Sequence, residues 1–243
     1  MARRRVNTTK YEIIRTATTL FLEKGYSATT PKLICDELDI STGNLTYYFP
    51  TKEHLLAILV DMLCSYQGKV VHNIVEEGAT SLLALSLEMA TMAVICEENE
   101  IAKDLFLSAY SSPMALEIIR KNDALRSMHI YCEFCPDWTE QQYIEAEILV
   151  SGIEYATLMT TDYSVPIQQR ITGALDNIMK IYNVPESIRQ QKIEKVLSMD
   201  YQTLGRNILE QFKQYVNETN ENTFENLLNG SGQPIHSHKE VTL

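Results

Sequence analysis

The chain has 243 residues, of which 45% are hydrophobic and 22% are charged, as is ordinary for a folded globular protein. It has no run of about 18 apolar residues and no apolar stretch after its basic residues 1–10, which excludes a membrane-spanning helix and a secretory signal. We therefore expect a cytoplasmic protein with no membrane partner.

The net charge of −11 excludes a chain whose whole surface contacts nucleic acid, but the charge is unevenly distributed. Residues 1–53 hold eight basic and six acidic side chains, a net charge of +2, whereas residues 54–243 carry −13. Only the first segment can face phosphate groups at low electrostatic cost. A surface of mixed charge gives the same count, so the pattern indicates a region rather than a function.

Apolar residues recur at helical spacing along the chain, and only 9 glycines and 7 prolines interrupt them. No alternation of apolar and polar residues typical of strands stands out. The sequence therefore predicts an all-α protein.

The first predicted helix begins at a capping box, in which Thr9 is followed three residues later by Glu12, and it ends before Gly25. The second begins at Thr30 and Pro31, because threonine caps a helix and proline fits its first position.

Ser41 is predicted to cap a third helix of about two turns, which ends at Phe49 and Pro50, and Thr51 to cap a fourth. Two short helices joined by a tight turn, behind a longer helix, are typical of a helix-turn-helix. Seven further helices are predicted, over residues 80–97, 101–110, 113–132, 138–161, 167–182, 186–197 and 200–217.

These elements predict an N-terminal three-helix helix-turn-helix domain in residues 1–52 and a larger helical domain in residues 53–228. Residues 229–243 are polar and contain glycine, and we expect them to form a disordered tail.

Two ordered stretches carry a family pattern, with Ile34 between them: ATTLFLEKGYSATT at 17–30 and ISTGNLTYYFPTKEHLL at 40–56. On these residues, the segment 11–56 resembles the TetR family of bacterial transcriptional regulators. The resemblance implies a helix-turn-helix that binds double-stranded DNA, followed by a helical ligand-binding and dimerisation domain. The chain departs from the family at Asp39, where a turn glycine is usual, and at Thr46, where an aromatic residue is usual.

An α-helix fits the major groove of DNA, and the first residues of the second helix of a helix-turn-helix approach the base edges. The small residues Ser41, Thr42 and Gly43 let the backbone come close, and the amide of Asn44 suits a bidentate contact to adenine. Residues 3–5 are arginines, which suit either a flexible arm in the minor groove or a solvated tail.

Contacts to phosphate groups set the register of a protein on DNA. The hydroxyls of Tyr47 and Tyr48 suit such contacts, and the resemblance adds Thr30, Lys32 and Lys52. The predicted DNA-binding residues are therefore Thr30, Lys32, Ser41, Thr42, Gly43, Asn44, Thr46, Tyr47, Tyr48 and Lys52.

The resemblance also implies that a ligand bound among the later helices changes the spacing of two helix-turn-helix units in a dimer. Large adaptable side chains, and aromatic ones with a polar tip, are candidates for the pocket, although each fits a plain core position more often. These candidates are Met62, Tyr66, Met89, Met92, Phe106, Tyr110, Tyr155 and Met159. They predict a mostly apolar small-molecule effector.

The segments 140–161 and 167–182 are the predicted dimer helices, which would form a four-helix bundle across a homodimer. Gly152 allows a close approach of the two subunits. The apolar residues of the first segment are Ile144, Ile148, Ile153 and Tyr155. Packing of the same residues inside one subunit is the alternative.

The motif HIYCEFC places His129, Cys132 and Cys135 at three-residue intervals along one side of a predicted helix. Imidazole and thiolate groups bind zinc or copper, and paired thiols oxidise, so a metal- or redox-responsive regulator is an alternative. A fourth ligand is missing, and the odd number of five cysteines argues against a disulfide framework. We therefore predict no cofactor and no bound metal.

We expect a regulator rather than an enzyme, because no nucleophile–base pair, glycine-rich phosphate loop or carboxylate pair has identifiable spacing. The acidic residues Glu97, Glu98 and Glu100 favour a solvated helix end. The leading hypothesis is a repressor that a small ligand releases from a palindromic operator. A nucleoid-associated structural protein, which binds DNA without a preferred operator, is the remaining alternative.

Overall fold

The computed structural model describes the backbone of residues 2–70 and 81–230 and the side chains of residues 10–66 and 81–225. Within these residues the chain forms helices and no strands, which confirms the all-α prediction. The helices are α1 (Ala2–Lys24), α2 (Pro31–Leu38), α3 (Thr42–Tyr48), α4 (Lys52–Val70), α5 (Leu82–Glu98), α6 (Glu100–Ser111), α7 (Pro113–Ile130), α8 (Glu140–Leu158), α9 (Ile167–Ile181), α10 (Glu186–Ser198), α11 (Tyr201–Glu218) and α12 (Glu221–Gly230).

The helix-turn-helix of α2 and α3 has the predicted caps. The hydroxyl of Thr30 accepts a hydrogen bond from the backbone N–H of Leu33 at 3.1 Å, and that of Ser41 from Asn44 at 3.2 Å. Between the helices, Asp39 takes the left-handed conformation with φ of 52°. Aspartate tolerates this region better than most residues, so the turn forms without the glycine that is usual in the family.

The start of α1 differs from the prediction. The helix begins at Ala2, so the capping box predicted at Thr9 and Glu12 is wrong, and both residues lie inside the helix. The backbone of residues 3–5 is also helical, which does not fit a flexible arm, and the side chains of these arginines lie outside the described residues. Capping residues inside a helix are tolerated when the turns before them also form hydrogen bonds.

Seven predicted helices correspond to α5–α11, with each end within three residues of its predicted position. Helix α12 was not predicted. It packs through the buried Phe224, whose ring stacks on Tyr11 of α1 with centroids 6.2 Å apart. Helix α12 includes residues 229 and 230 of the predicted tail, and residues 231–243 lie outside the described residues.

Helix α5 is apolar almost all round and contacts α6, α8, α9, α10 and α11. A helix with this composition is stable only where other helices surround it. The approach to α11 is close at Gly205, where an added methyl group would lie 3.1 Å from the carbonyl oxygen of Thr91. Helix α5 thus forms the centre of the body and one wall of its cavity.

The loop between α1 and α2 is fixed to the body through α6. The carboxylate of Asp104 accepts hydrogen bonds from the backbone N–H of Ser27, at 2.8 Å, and from the Ser27 hydroxyl. Gly25 begins the loop with φ of +90°, and a methyl group there would lie 2.8 Å from Asp104. The predicted domain boundary at residue 52 coincides with the first residue of α4.

Candidate nucleic-acid interface and internal cavity

Helix α3 is anchored by apolar side chains on its inner face. Leu45 and Phe49 are 3% and 5% exposed, and both pack into the core shared by α1 and α4. The outer face, named here the recognition face, is exposed along its whole length. It consists of Ser41, Thr42, Gly43, Asn44, Thr46 and Tyr47.

The polar groups of the recognition face differ in whether they already form hydrogen bonds within the protein. The Thr46 hydroxyl donates to the carbonyl oxygen of Thr42 at 3.0 Å, and Ser41 is occupied as the cap. In the part of the chain whose side chains are described, no hydrogen bond to the side-chain amide of Asn44 occurs. Asn44 therefore offers a free donor and acceptor at the surface.

The two tyrosines at the end of α3 are placed differently. Tyr47 is 78% exposed, and its ring meets that of Tyr48 edge to face with centroids 5.0 Å apart. Tyr48 is half-buried and lies beside a groove of about 380 Å³ between the helix-turn-helix and α7. Of the two tyrosines, Tyr47 is therefore the one whose side chain lies mostly at the surface.

Among the predicted phosphate contacts, Thr30 and Lys32 are exposed at the start of α2, whereas Lys52 is half-buried. The Lys52 ammonium donates to the carbonyl oxygen of Tyr26 at 2.7 Å and lies 3.9 Å from the centroid of its ring. Burial lowers the pKa of Lys52. This residue therefore joins α4 to the loop before α2, and two of its N–H groups are left for other partners.

The helical body encloses a narrow cavity of about 70 Å³ between α4, α5, α6, α7, α8 and α9. Four of the predicted pocket residues line it: Met89, Met92, Phe106 and Tyr110. The other four do not lie among its lining residues. Met62 is buried in the core, and Tyr66 packs on Phe212 of α11. Tyr155 is half-buried, and Met159 is exposed on the outer side of α8.

Four acidic residues at the cavity were not predicted from the sequence, and they are named here the carboxyl cluster: Glu88, Asp123, Glu147 and Glu154. One basic residue, Arg126, lines the cavity with them, and its guanidinium lies 2.8 Å from both carboxylate oxygens of Glu88. Asp123 lies 3.7 Å from Arg126. The cluster thus holds more acidic groups than its one guanidinium can balance.

Neutral donors surround the two acids of α8. Glu147 accepts hydrogen bonds from the hydroxyls of Ser127, at 2.9 Å, and Tyr182. Glu154 accepts one from Tyr110 at 2.9 Å. Glu147 and Glu154 are seven residues apart and therefore lie on one side of α8. Acidic residues at core-facing positions of a helix are the signal in the sequence that could have identified the cluster.

Burial dominates the ionisation of the cluster. It raises the pKa of Asp123 to about 6, and, together with the negative charge of Asp123, it raises the pKa of Glu147 to about 7. Burial also raises the pKa of Glu154 well above its usual value, and raises that of Glu88, where Arg126 opposes it. The ionisation of these acids is therefore coupled to folding.

Two helices run from the cavity to the helix-turn-helix. Helix α4 begins with Lys52 on the Tyr26 loop and lines the cavity farther along, at Cys64. Helix α6 holds Ser27 through Asp104 and lines the cavity through Phe106, two residues later. Helices α4 and α6 thus each connect the cavity wall to the loop that precedes α2.

The motif that suggested a metal or redox site is dispersed. Helix α7 ends at Ile130, so Cys132 and Cys135 do not lie on the predicted helix, and the prediction of one shared helix side is wrong. His129 and Cys132 are exposed, whereas the buried Cys135 donates to the carbonyl oxygen of Tyr182 at 3.2 Å. Among the described residues, no group of three potential ligands is placed to hold a metal ion.

The acidic residues that close α5 form surface ion pairs. Glu98 lies 2.8 Å from Arg206 of α11, and Glu97 pairs with Arg170 of α9. Glu97 and Glu98 are exposed, as predicted for a solvated helix end.

Exposed apolar side chains concentrate on one side of α8. Of the nine large hydrophobic residues most exposed in the described part of the chain, six lie between residues 144 and 165. Those on α8 and at its C-cap, Met159, form with Gly152 the α8 stripe: Ile144, Ile148, Leu149, Gly152 and Met159. A methyl group added at Gly152 would meet no atom within 4 Å.

Other parts of the predicted dimer surface face inward. Helix α9 buries its apolar side within the subunit, through Ile171, Leu175 and Ile178. Ile153 and Tyr155 are partly buried against the same core. The alternative of packing inside one subunit thus holds for these residues. In the backbone segments that the structure describes, no helix is long and apolar enough to cross a membrane.

Residues 13–59 match the model of the family described as bacterial regulatory proteins, tetR family. The chain is 32% identical over 115 residues to the HTH-type transcriptional regulator HbdR of Aromatoleum sp. (strain CIB), which covers 46% of this chain and 48% of HbdR. It is 44% identical over 62 residues to the uncharacterised HTH-type transcriptional regulator YuxN of Bacillus subtilis (strain 168), covering 26% and 20%. The chain thus spans about half, or less, of the length of these curated relatives.

Two solved structures are similar over most of their length. A gamma-butyrolactone receptor (ArpA-like protein) has a TM-score of 0.37 and 18% identity, with 86% of this chain and 99% of that chain covered. CprB from S. coelicolor A3(2), described as a TetR family protein, has a TM-score of 0.39 and 17% identity, with 88% of this chain and 100% of that chain covered. At this level of similarity, neither structure indicates a ligand for this chain.

Proposed function

The chain belongs to the TetR family of bacterial regulatory proteins, and we propose that it is a sequence-specific DNA-binding repressor that acts as a homodimer in the cytoplasm. A small molecule bound in the cavity would release it from a palindromic operator. Members of the family are transcriptional regulators, and we assign no catalytic residue.

The observation that carries this proposal is the recognition face of α3. It combines small side chains, which allow the backbone to approach a groove, with the free amide of Asn44 at the surface. The buried Leu45 and Phe49 fix the helix from behind. A positioned helix with an exposed polar face is what direct contact with base edges requires.

The α8 stripe supports dimerisation. Exposed apolar side chains that line up along one helix favour burial against a second copy of the same surface. Ile148 and Leu149 are 51% and 61% exposed, and Gly152 leaves room for close contact. A two-fold dimer would hold two recognition faces for the two halves of a palindrome, about 34–36 Å or a multiple apart.

The proposed switch uses α4 and α6. Ligand binding moves a population only if the ligand prefers one of two arrangements. Phe106 and Cys64 would contact the ligand, and Asp104 and Lys52 on the same two helices hold the loop that leads into α2. A ligand that displaces either helix therefore changes the position of the recognition face. The proposed division into residues 1–52 and 53–228 places both connections at the junction.

Selection of bound sequences from a pool of random double-stranded DNA tests the proposal. We expect recovery of a palindrome whose half-sites are one helical turn, or a multiple, apart. Recovery of DNA without a common sequence would contradict the proposal and favour a nucleoid-associated role. A metal- or redox-responsive regulator would instead show DNA binding that changes with zinc, copper or oxidant, although His129, Cys132 and Cys135 do not form one site.

A further inference from the structure

The carboxyl cluster leaves a negative charge at the cavity that the protein does not balance. Arg126 binds both oxygens of Glu88, so these two residues form a neutral pair. Asp123, Glu147 and Glu154 remain, and all three line the same cavity. Lys residues do not line the cavity. The lining therefore has an excess of acidic groups, which a bound cation, and not a bound anion, would balance.

Asp123 is the member of the cluster whose hydrogen bonding is incomplete. It is half-buried, with 23% of its side chain accessible to solvent, and it is among the residues that line the cavity. No hydrogen bond to its carboxyl group occurs among the described residues, and Arg126 is 3.7 Å away. A half-buried carboxylate without a hydrogen-bond donor is stabilised when a cation comes within contact distance.

The remaining walls suit a positive charge on an apolar skeleton. Tyr131 and Tyr182 stack face to face with centroids 3.9 Å apart, and Tyr110 adds a third ring. Aromatic faces attract cations, most strongly where water is excluded. Met89 and Met92 are soft, adaptable side chains that can move to enlarge a narrow space.

We propose that the effector is a small organic cation, a protonated amine or quaternary ammonium on an apolar or aromatic skeleton, whose charge lies beside Asp123, Glu147 and Glu154. The proposal rests on the proposed function, because it names the ligand class of the same cavity. It revises the expectation of a mostly apolar effector, which the sequence supported through methionines and aromatic residues alone.

Cation binding has a definite dependence on pH. In the empty cavity, burial holds the pKa of Asp123 at about 6 and that of Glu147 at about 7, so both carry protons below these values. A cation stabilises their ionised forms and releases protons, so its affinity rises with pH across this range. The other titratable groups that line the cavity are Cys64 of α4, Glu88 of α5, Tyr110 of α6, Arg126 of α7, Tyr131 after it, Glu154 of α8 and Tyr182 after α9.

Binding of a matched pair of probes to the full chain tests the proposal. Phenyltrimethylammonium and its uncharged isostere tert-butylbenzene differ in charge but hardly in shape. By isothermal titration calorimetry at pH 7.5, we expect the cation to bind at least tenfold more tightly. Its affinity should fall on going to pH 5.5, with proton release visible in buffers of different ionisation heat. Equal or tighter binding of tert-butylbenzene, or no binding of the cation, would overturn the proposal.

The variant Asp123→Asn should lower the affinity for phenyltrimethylammonium at least tenfold and leave that for tert-butylbenzene unchanged. Glu133→Gln, at an exposed acid just beyond α7, is the control and should change neither. If Asp123→Asn does not fold, Glu154→Gln and the pH dependence of the unaltered chain provide the same test. An unchanged affinity for the cation in a folded Asp123→Asn protein contradicts the proposal.

The two proposals fail separately. Recovery of a palindrome, together with no preference for the charged probe, would overturn the cationic ligand and leave the regulator proposal in place. A clear charge preference in a protein that selects no DNA sequence would support the cation site and overturn the regulator proposal.

Discussion

The recognition face of α3 and the cavity in the helical body both gather polar side chains, but in opposite settings. On α3, Asn44 is exposed, so water can satisfy its amide. In the cavity, Glu88 and Glu147 are buried, and neighbouring protein groups supply their hydrogen bonds. The first arrangement therefore has little effect on folding and a large one on binding, whereas the second affects both.

Removal of Arg126 tests the enclosed side of this comparison and should have the largest effect. Arg126→Met leaves Glu88 buried without its partner, which should lower the free energy of unfolding by about 3–5 kcal/mol. Urea denaturation at pH 7.5 measures it. Arg206→Met, which breaks an exposed pair with Glu98, is the control, with an expected loss of about 1 kcal/mol or less. Similar losses in the two variants would contradict the enclosed character of the cavity.

Disruption of the α8 stripe separates assembly from folding. Ile148→Asp should give a monomer in sedimentation experiments, because it places a charge in the α8 stripe. Since Ile148 is half-exposed in one subunit, the free energy of unfolding of the subunit should change by only about 0.5 kcal/mol. Operator affinity should fall on the order of a hundredfold, since one recognition face then binds alone. Ile101→Asp, at an exposed isoleucine of α6, should leave a dimer. A dimeric Ile148→Asp protein would move the interface elsewhere.

Asn44→Ala tests the exposed side of the comparison. Loss of a bidentate base contact should reduce the preference for operator over random DNA by about 1–3 kcal/mol. The free energy of unfolding should stay within about 0.5 kcal/mol, because the amide contacts no described residue. Competition binding assays measure the preference for operator DNA. Asn207→Ala is the control, because Asn207 is an exposed asparagine on α11. An unchanged preference would remove Asn44 from the base-reading residues.

The same contrast explains which features the sequence could predict. The helix-turn-helix is local: the caps at Thr30 and Ser41 and the turn at Asp39 lie within a dozen residues and are visible as a pattern. The residues that line the cavity come from six helices, and the groups that pair there are distant in the chain. Glu88 and Arg126, for example, are 38 residues apart. Helix α12 was missed because its packing depends on Phe224 meeting Tyr11. No spacing rule connects such pairs before the fold brings them together.

The pH dependence of stability should show the cost of the enclosed acids. Burial raises the pKa of Glu147 to about 7, above about 4.3 in an unfolded chain, so the folded protein binds more protons between these values. The contribution of this group to stability is therefore fully present below about pH 4.3 and is lost as the pH rises from there through about 7, by at most about 1.4 kcal/mol per pH unit. Glu147→Gln should flatten this part of the curve in denaturation series from pH 5 to 8. Glu194→Gln, exposed on α10, should not alter the curve.

Lys52 lies between the two settings and should give the smallest effect. Lys52→Met keeps the apolar stem over the Tyr26 ring but removes the ammonium that donates to the Tyr26 carbonyl. If a remaining N–H also contacts phosphate, affinity for all DNA sequences should fall by about three- to tenfold, and the slope of log affinity against log salt should decrease by about 1. Fluorescence anisotropy over a salt series measures both, with Lys195→Met on α10 as the control. An unchanged salt slope with lower stability would make Lys52 a purely structural residue, which holds α4 to the loop before α2 and reaches the DNA only through it.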